Sequence, residues 1–138
     1  MYKRILVGYD GSPSARKAFD EALKLATLHR AELLVITVAR PLEIGDDVET
    51  EAIVENSRKY HRKILEDLES SVSGAGVEVS FEVSIGHPAE QIIYRADAVG
   101  ADLIVVGDRG RSKFARLLLG SVSKHVVQYA DRPVLVVR

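Results

Sequence analysis

The 138-residue sequence predicts an α/β fold: an open, doubly wound, Rossmann-like sheet of five parallel strands with helices on both faces. Apolar runs alternate along the chain with segments of helical periodicity, in the order βαβαβαβαβ. Right-handed crossovers between successive parallel strands then place helices on both sides of the sheet. Because no repeat, low-complexity tract or composition shift divides the chain, we expect one domain over residues 1–138.

The first half of the chain supplies two strands and two helices. Residues 3–9 form a short apolar run closed by turn formers, which predicts the first strand. Ser12 ahead of a proline is typical of a helix start and predicts a helix over residues 12–29. The β-branched run Glu32–Ala39 predicts a buried strand, and apolar spacing among charges predicts a helix over residues 48–73.

The second half continues the alternation. Residues 77–85 alternate strictly between apolar and polar side chains, which predicts a strand at the sheet edge with one exposed face. The remaining predicted elements are a helix opened by Gly86-His87-Pro88 and ended by Gly100, a strand over 101–106, a helix over 122–130 and a last strand, Val134–Val137. An edge position for the third strand favours the strand order 3-2-1-4-5, in which the first and fourth strands are neighbours.

Composition narrows the class of protein. A formal net charge of −1 gives no global sign of nucleic-acid or membrane-surface binding. No apolar stretch approaches the roughly 18–20 residues of a membrane span, and the first residues lack a signal-peptide layout, so we expect a cytoplasmic protein. The absence of cysteine excludes disulfides, cysteine-ligated zinc and thiol catalysis.

The crevice between the carboxyl ends of the first and fourth strands is where such sheets bind ligands. Asp10 follows the first strand, and Gly107 closes the fourth. From Gly107 the spacing G-x2-G-x9-G-S continues through Gly110 to Gly120 among several basic residues, and a helix follows. Glycines let backbone amides approach a ligand, and a helix start favours negative charge, so we predict a phosphate site.

Each of these residues also has a structural explanation. The glycines could serve turns while the basic residues are merely solvated, and Ser121 or Ser123 could be only a helix N-cap. Asp10 taken alone is better explained as a turn residue, because Asp-Gly is a common turn pair. The histidines show no metal-ligand spacing and are expected on helix surfaces or ends: His29, His61, His87 and His125.

Sequence motifs for catalysis are missing. The chain contains neither a Walker A loop nor a G-x-G-x-x-G fingerprint after the first strand. It also lacks the S-G-G-x-D-S and H-x-G-H motifs of related nucleotide-cleaving folds, and no Ser/His/Asp or Cys/His constellation can be placed. We therefore predict no catalytic residues.

Several stretches together resemble the universal stress protein family: residues 7–12 (VGYDGS), 86–88 (GHP), 102–110 (DLIVVGDRG), 119–123 (LGSVS) and 132–137 (RPVLVV). The resemblance implies the same five-stranded fold, a cytoplasmic homodimer and, in members with this glycine pattern, bound ATP. It also implies a nucleotide-dependent stress or signalling regulator with little or no turnover and an unknown protein partner. Slow ATP hydrolysis or phosphotransfer, and a nucleotide-free interaction module, remain open.

The resemblance also implies a set of ligand-binding residues. Gly8 and Asp10 would lie beside the adenosine, with Asp10 near the ribose, and Val38 would contact the adenine. The ribose and phosphates would be wrapped by Gly107, Arg109, Gly110, Arg111, Ser112 and Lys113, and amides and hydroxyls would reach the phosphates from Gly120, Ser121, Val122 and Ser123. Mg²⁺ or Mn²⁺ would bridge phosphate oxygens.

Two further expectations concern Asp108 and the last strand. Asp108 stands where the family often has a small hydroxyl residue. Its carboxylate would either face the phosphates and weaken their binding, or point outward and pair with a neighbouring arginine. Val134–Val137 is an apolar edge without blocking charges, so we expect a homodimer in which this strand pairs with its copy.

Overall fold

The computed structural model describes residues 1–40, 48–72, 74, 76–109 and 119–138. The described elements follow the predicted order: β1 Arg4–Gly8, α1 Pro13–His29, β2 Glu32–Ala39, α2 Val48–Ser70, β3 Val79–Ile85, α3 Pro88–Val99, β4 Leu103–Gly107, α4 Ser121–Tyr129 and β5 Val134–Val137. The strands of this part of the chain form one sheet in the order β3-β2-β1-β4-β5, and every pairing is parallel. The predicted fold class and strand order are confirmed.

The element boundaries differ from the predicted ones by a few residues. β4 runs on to Gly107, because this residue is still in register with Val137 of β5. α4 begins at Ser121, one residue earlier than predicted. α2 ends at Ser70, and Ser71 and Val72 form a turn directly after it. The bounds of β2 and β5 and the end of α3 at Gly100 agree with the prediction.

Apolar side chains fill both faces of the sheet. Ile5 and Val7 of β1 point to one face and pack with the buried alanines of α1 and the fully buried Phe19. Leu6 points to the other face, where it packs in the same cluster as Ile92 of α3 and α4 residues. This alternation explains why β1 is apolar throughout, since both of its faces are covered.

The two outer strands are less buried than the central ones. The side chains of β3 are half-buried or exposed, as expected of the predicted edge strand. β5 is half-buried along its length and pairs with β4 on one side. In the part of the chain that the structure describes, we find no helix long and apolar enough to cross a membrane.

Candidate functional site

A cavity of about 500 Å³ lies at the carboxyl ends of β1, β2 and β4. It brings together predicted site residues from four separate stretches of the chain: Gly8, Asp10, Val38, Gly107, Arg109, Gly120, Ser121, Val122 and Ser123. The other predicted residues, Gly110, Arg111, Ser112 and Lys113, lie outside the described residues. The cavity occupies the crevice between β1 and β4, because these strands are neighbours in the sheet.

The start of α4 leaves backbone donors at this cavity. Gly120 is the N-cap, and among the described residues no side chain caps the helix. The N–H of Lys124 donates to the carbonyl of Gly120 at 2.9 Å and begins the helical bonding, so the N–H groups of Ser121, Val122 and Ser123 have no acceptor within the helix. Donors of this kind, at the positive end of a helix dipole, suit an anion.

The Ser123 side chain links the start of α4 to the residue that follows β4. Its hydroxyl is buried and lies 3.1 Å from the carbonyl oxygen of Asp108 and 3.0 Å from that of Gly120. The N–H of Gly120 also donates to the carbonyl of Asp108, at 2.7 Å. These bonds hold the start of α4 against the end of β4, so the Ser123 hydroxyl is a positioning group, and neither caps a helix N–H nor lies free in the cavity.

The turn after β1 combines both of the interpretations that the sequence leaves open for Asp10. Its carboxylate oxygen accepts the N–H of Ser12 at 2.9 Å, which closes an Asx turn. The hydroxyl of Ser12 in turn accepts the N–H of Ala15 at 3.1 Å and caps α1, as predicted. Asp10 nonetheless lines the cavity, so it orders the turn and faces the candidate site at once.

Glycine at position 107 has a packing reason. A Cβ there would lie 2.2 Å from the hydroxyl oxygen of Ser14 and 2.8 Å from the backbone of the same residue. A Cβ at Gly8 would meet the Cδ1 atom of Ile92 at 2.8 Å, at the end of a flexible side chain. Both glycines line the cavity, but the space that they leave is taken by α1 and α3.

Asp108 matches neither expectation in full. Its carboxylate is buried and accepts the Ser14 hydroxyl at 2.9 Å, and the Ser14 oxygen accepts the N–H of Arg109 at 3.2 Å. The Nε of Arg109 is 3.6 Å from the other carboxylate oxygen. Asp108 therefore pairs with the neighbouring arginine, but it points inward against α1, and it is not among the residues that line the cavity.

Sequence reasoning missed several lining residues: Tyr9, Ala15, Ile36, Arg40, Ser57, His61, Pro88, Ile92 and Val106. One signal could have found Ile36, because it lies two residues before Val38 on β2 and shares its face. The α2 residues carried no such signal, since their place depends on how a long helix packs. Ile36, Ile92 and Val106 provide apolar surface, which suits the flat face of a base or sugar.

Two polar rings border the cavity. The Nδ1 of His61 is 2.8 Å from the carbonyl oxygen of Ser57. A carbonyl only accepts, so this Nδ1 carries a proton and the Nε2 is an acceptor while the ring is neutral. Burial raises the pKa of Tyr9, although nearby Arg16 lowers it, so the phenol stays protonated at neutral pH.

A smaller cavity of about 340 Å³ lies near the amino ends of β1 and β2. Its charged lining is already paired, since the Nε of Arg4 is 3.1 Å from a carboxylate oxygen of Glu32. A second guanidinium nitrogen of Arg4 donates to the carbonyl of Val99 at 3.1 Å. The cavity at the carboxyl ends of the strands is therefore the better candidate.

The whole chain, residues 1–138, matches the model of the family described as "Universal stress protein family". The chain belongs to the universal stress protein family. Universal stress protein YxiE of Bacillus subtilis (strain 168) is 35% identical over an alignment of 153 positions that covers 100% of both chains.

Solved structures agree with this assignment. Universal stress protein UspA from Lactobacillus plantarum superposes with a TM-score of 0.89 at 27% identity and covers 99% of this chain and 98% of its own. A universal stress protein solved in complex with cAMP has a TM-score of 0.78 at 30% identity, covering 99% of this chain and 96% of its own. These structures share the fold described above.

Proposed function

We propose that this universal stress protein binds ATP at the carboxyl-edge cavity and acts as a nucleotide-dependent stress or signalling regulator with little or no turnover. One observation carries the proposal: the uncapped start of α4 lies in the same cavity as Asp10 and Val38. The α4 amides would bind phosphate, the carboxylate would accept a hydrogen bond from a ribose hydroxyl, and Val38 would contact the adenine.

The solved relative in complex with cAMP supports the general class of ligand, because cAMP also combines adenine, ribose and phosphate. The preference for ATP comes from the complete glycine pattern, which in this family accompanies bound ATP. Arg109 borders the cavity and would add positive charge beside the phosphates, while part of its charge is balanced by Asp108.

Mg²⁺ or Mn²⁺ would accompany the ATP and bridge its phosphate oxygens. Among the described residues that line the cavity, Asp10 supplies the carboxylate. The described residues contain no group of three or more side chains suited to hold a metal ion. A hard cation held mainly by phosphates and water matches this lining, because Mg²⁺ usually keeps several waters and uses few protein ligands.

The proposal is tested by identifying the ligand and then measuring turnover. The protein is purified without added nucleotide and denatured, and the released ligand is analysed by mass spectrometry; the folded protein is then incubated with ATP and Mg²⁺. We expect intact ATP and negligible ADP formation. Rapid ADP formation would indicate an ATP-cleaving enzyme. Failure to bind ATP in either experiment would contradict the proposal and favour a nucleotide-free interaction module.

We also propose a homodimer through the free edge of β5. The carbonyls of Pro133 and Val137 accept bonds from β4, so by strand alternation the N–H and C=O groups of Val134 and Val136 point away from β4 to the open edge. An apolar strand with open backbone groups pairs readily with a second copy across a two-fold axis.

The dimer can be tested by one proline. Val136→Pro removes an N–H on the open side, where proline is tolerated, so the monomer should fold but not dimerise. Leu135→Pro is the matched control, because alternation points its N–H at β4 and its loss should destabilise the fold itself. Sedimentation of Val136→Pro as an unchanged dimer would contradict the proposed interface.

A further inference from the structure

Two histidines that are 38 positions apart in sequence meet beside the cavity. His87 is the N-cap residue of α3, and His125 lies in the second turn of α4. Their ring centroids are 5.2 Å apart, and the ring planes are tilted by 50°. The helices hold the pair, since α3 and α4 pack in one core cluster through Ala89 and Val126.

The ring nitrogens of this pair are available. His87 is exposed and makes no side-chain capping bond to α3. Within the described part of the chain, the polar contacts of His87 and His125 include no hydrogen bond or ion pair from either ring. His29 and His61 differ, since each has its Nδ1 bonded to the backbone. A histidine pair with no structural bond is open to a ligand.

The spacing of the rings suits shared coordination of a metal ion. Metal–nitrogen bonds of about 2.0–2.1 Å at a tetrahedral angle place two imidazole centroids about 5 Å apart. Imidazole is a preferred ligand of copper, nickel and zinc, and not of the magnesium or manganese that accompanies phosphates. Tyr129 packs on His125 with ring centroids 4.8 Å apart, which restrains that ring further.

We propose that His87 and His125 chelate one divalent transition-metal ion, of the class Cu²⁺, Ni²⁺ or Zn²⁺, with water completing the coordination. This metal site is separate from the proposed ATP site, because neither histidine is among the residues that line the cavity. It adjoins the candidate pocket, since Pro88 and Ser123, close neighbours of the two histidines in sequence, line the cavity. It uses no residue of β5, the strand that we propose to pair in the dimer.

The proposal is tested with the metal alone. The full chain, freed of nucleotide and metal, is titrated calorimetrically with NiCl₂ at neutral pH. We expect one ion per chain, and His87→Ala or His125→Ala should each weaken the affinity on the order of 100-fold, because chelation raises the effective concentration of the second ligand. His29→Ala is the matched control, and it should bind Ni²⁺ as the parent does.

A second measurement needs no substitution. In the parent protein, Zn²⁺ should shift the ring NMR signals of His87 and His125 together and leave those of His29 and His61 in place. Acidification should reverse the shift, because protons compete with the metal for imidazole nitrogens. Metal binding that survives both alanine substitutions, or a zinc response at His29 or His61 instead, would overturn the site.

Discussion

The starts of α1 and α4 lie at the same edge of the sheet, but they differ in whether side chains accept hydrogen bonds from their first backbone N–H groups. At α1, the Ser12 hydroxyl accepts the N–H of Ala15, Asp10 accepts the N–H of Ser12, and Pro13 has no N–H to satisfy. At α4, the N-cap is Gly120, and it offers no side chain. The N-cap side chain of α1 occupies one of its first donors, whereas among the described residues no side chain occupies those of α4, which suits the α4 start to bind an anion.

A third helix shows that the missing cap is not sufficient. α3 also lacks a side-chain capping bond, but Pro88 removes one of its donors and is the α3 start residue that lines the cavity. At α4, by contrast, Gly120, Ser121, Val122 and Ser123 all border the cavity. Open donors and a cavity must coincide before a helix start becomes a candidate site.

The largest expected effect concerns the contact between β4 and the start of α1. Gly107→Ala should lower the free energy of unfolding by about 1–3 kcal/mol, because its Cβ would collide with the backbone of Ser14. Gly8→Ala is the matched control and should cost less, since the Ile92 side chain can move. Urea unfolding curves measure both, and equal midpoints for the two variants would contradict the packing role of Gly107.

The next effect should separate binding from stability at α4. The backbone of Gly120 (φ −61°, ψ 159°) suits any residue, so Gly120→Asp should supply the missing cap. Its charge should then compete with phosphate and weaken ATP binding about tenfold or more, with stability unchanged or raised. Gly120→Asn is the control, because asparagine can cap the helix without adding a negative charge. Calorimetric titration with ATP would refute the role of α4 if the aspartate variant bound as tightly as the parent.

The converse change at α1 should affect stability alone. Ser12→Ala removes the side chain that caps α1 and should cost about 1 kcal/mol of unfolding free energy. ATP affinity should stay within the error of the measurement, because Ser12 is not among the residues that line the cavity. A large loss of affinity in a folded Ser12→Ala protein would mean that α1 also contacts the ligand.

The smallest effect lies at the opposite edge of the sheet. Asp102 accepts the N–H groups of Lys3 and Arg4, at 2.6 and 2.9 Å, and these bonds lower its pKa. A lowered native pKa adds stability above the ordinary carboxyl pKa, and that stability is lost as the pH falls through the native value. Asp102→Asn should therefore make urea stability slightly less sensitive to pH between about 6 and 3. A steeper acid dependence in the variant would contradict this assignment.

Local patterns in the sequence were enough for the architecture. Alternation of strands and helices, the strict two-residue period of β3 and the Ser12-Pro13 helix start depend on nearby residues, and the strand order followed from general rules of α/β sheets. Asp10 and the α4 start were placed at one crevice for the same reason, since the carboxyl ends of parallel strands share an edge, whereas Val38 was placed there by the family resemblance.

The tertiary structure decided what depends on contacts between distant residues. Glycine is required at position 107 because a Cβ there would collide with Ser14. The hydroxyl of Ser14 also donates a hydrogen bond to the buried Asp108 carboxylate. Nothing near Asp108 in sequence signals that contact. The approach of His87 to His125 likewise arises from the packing of α3 against α4. Periodicity and turn chemistry reveal which element a residue joins, whereas its neighbours across the fold decide what its side chain can do.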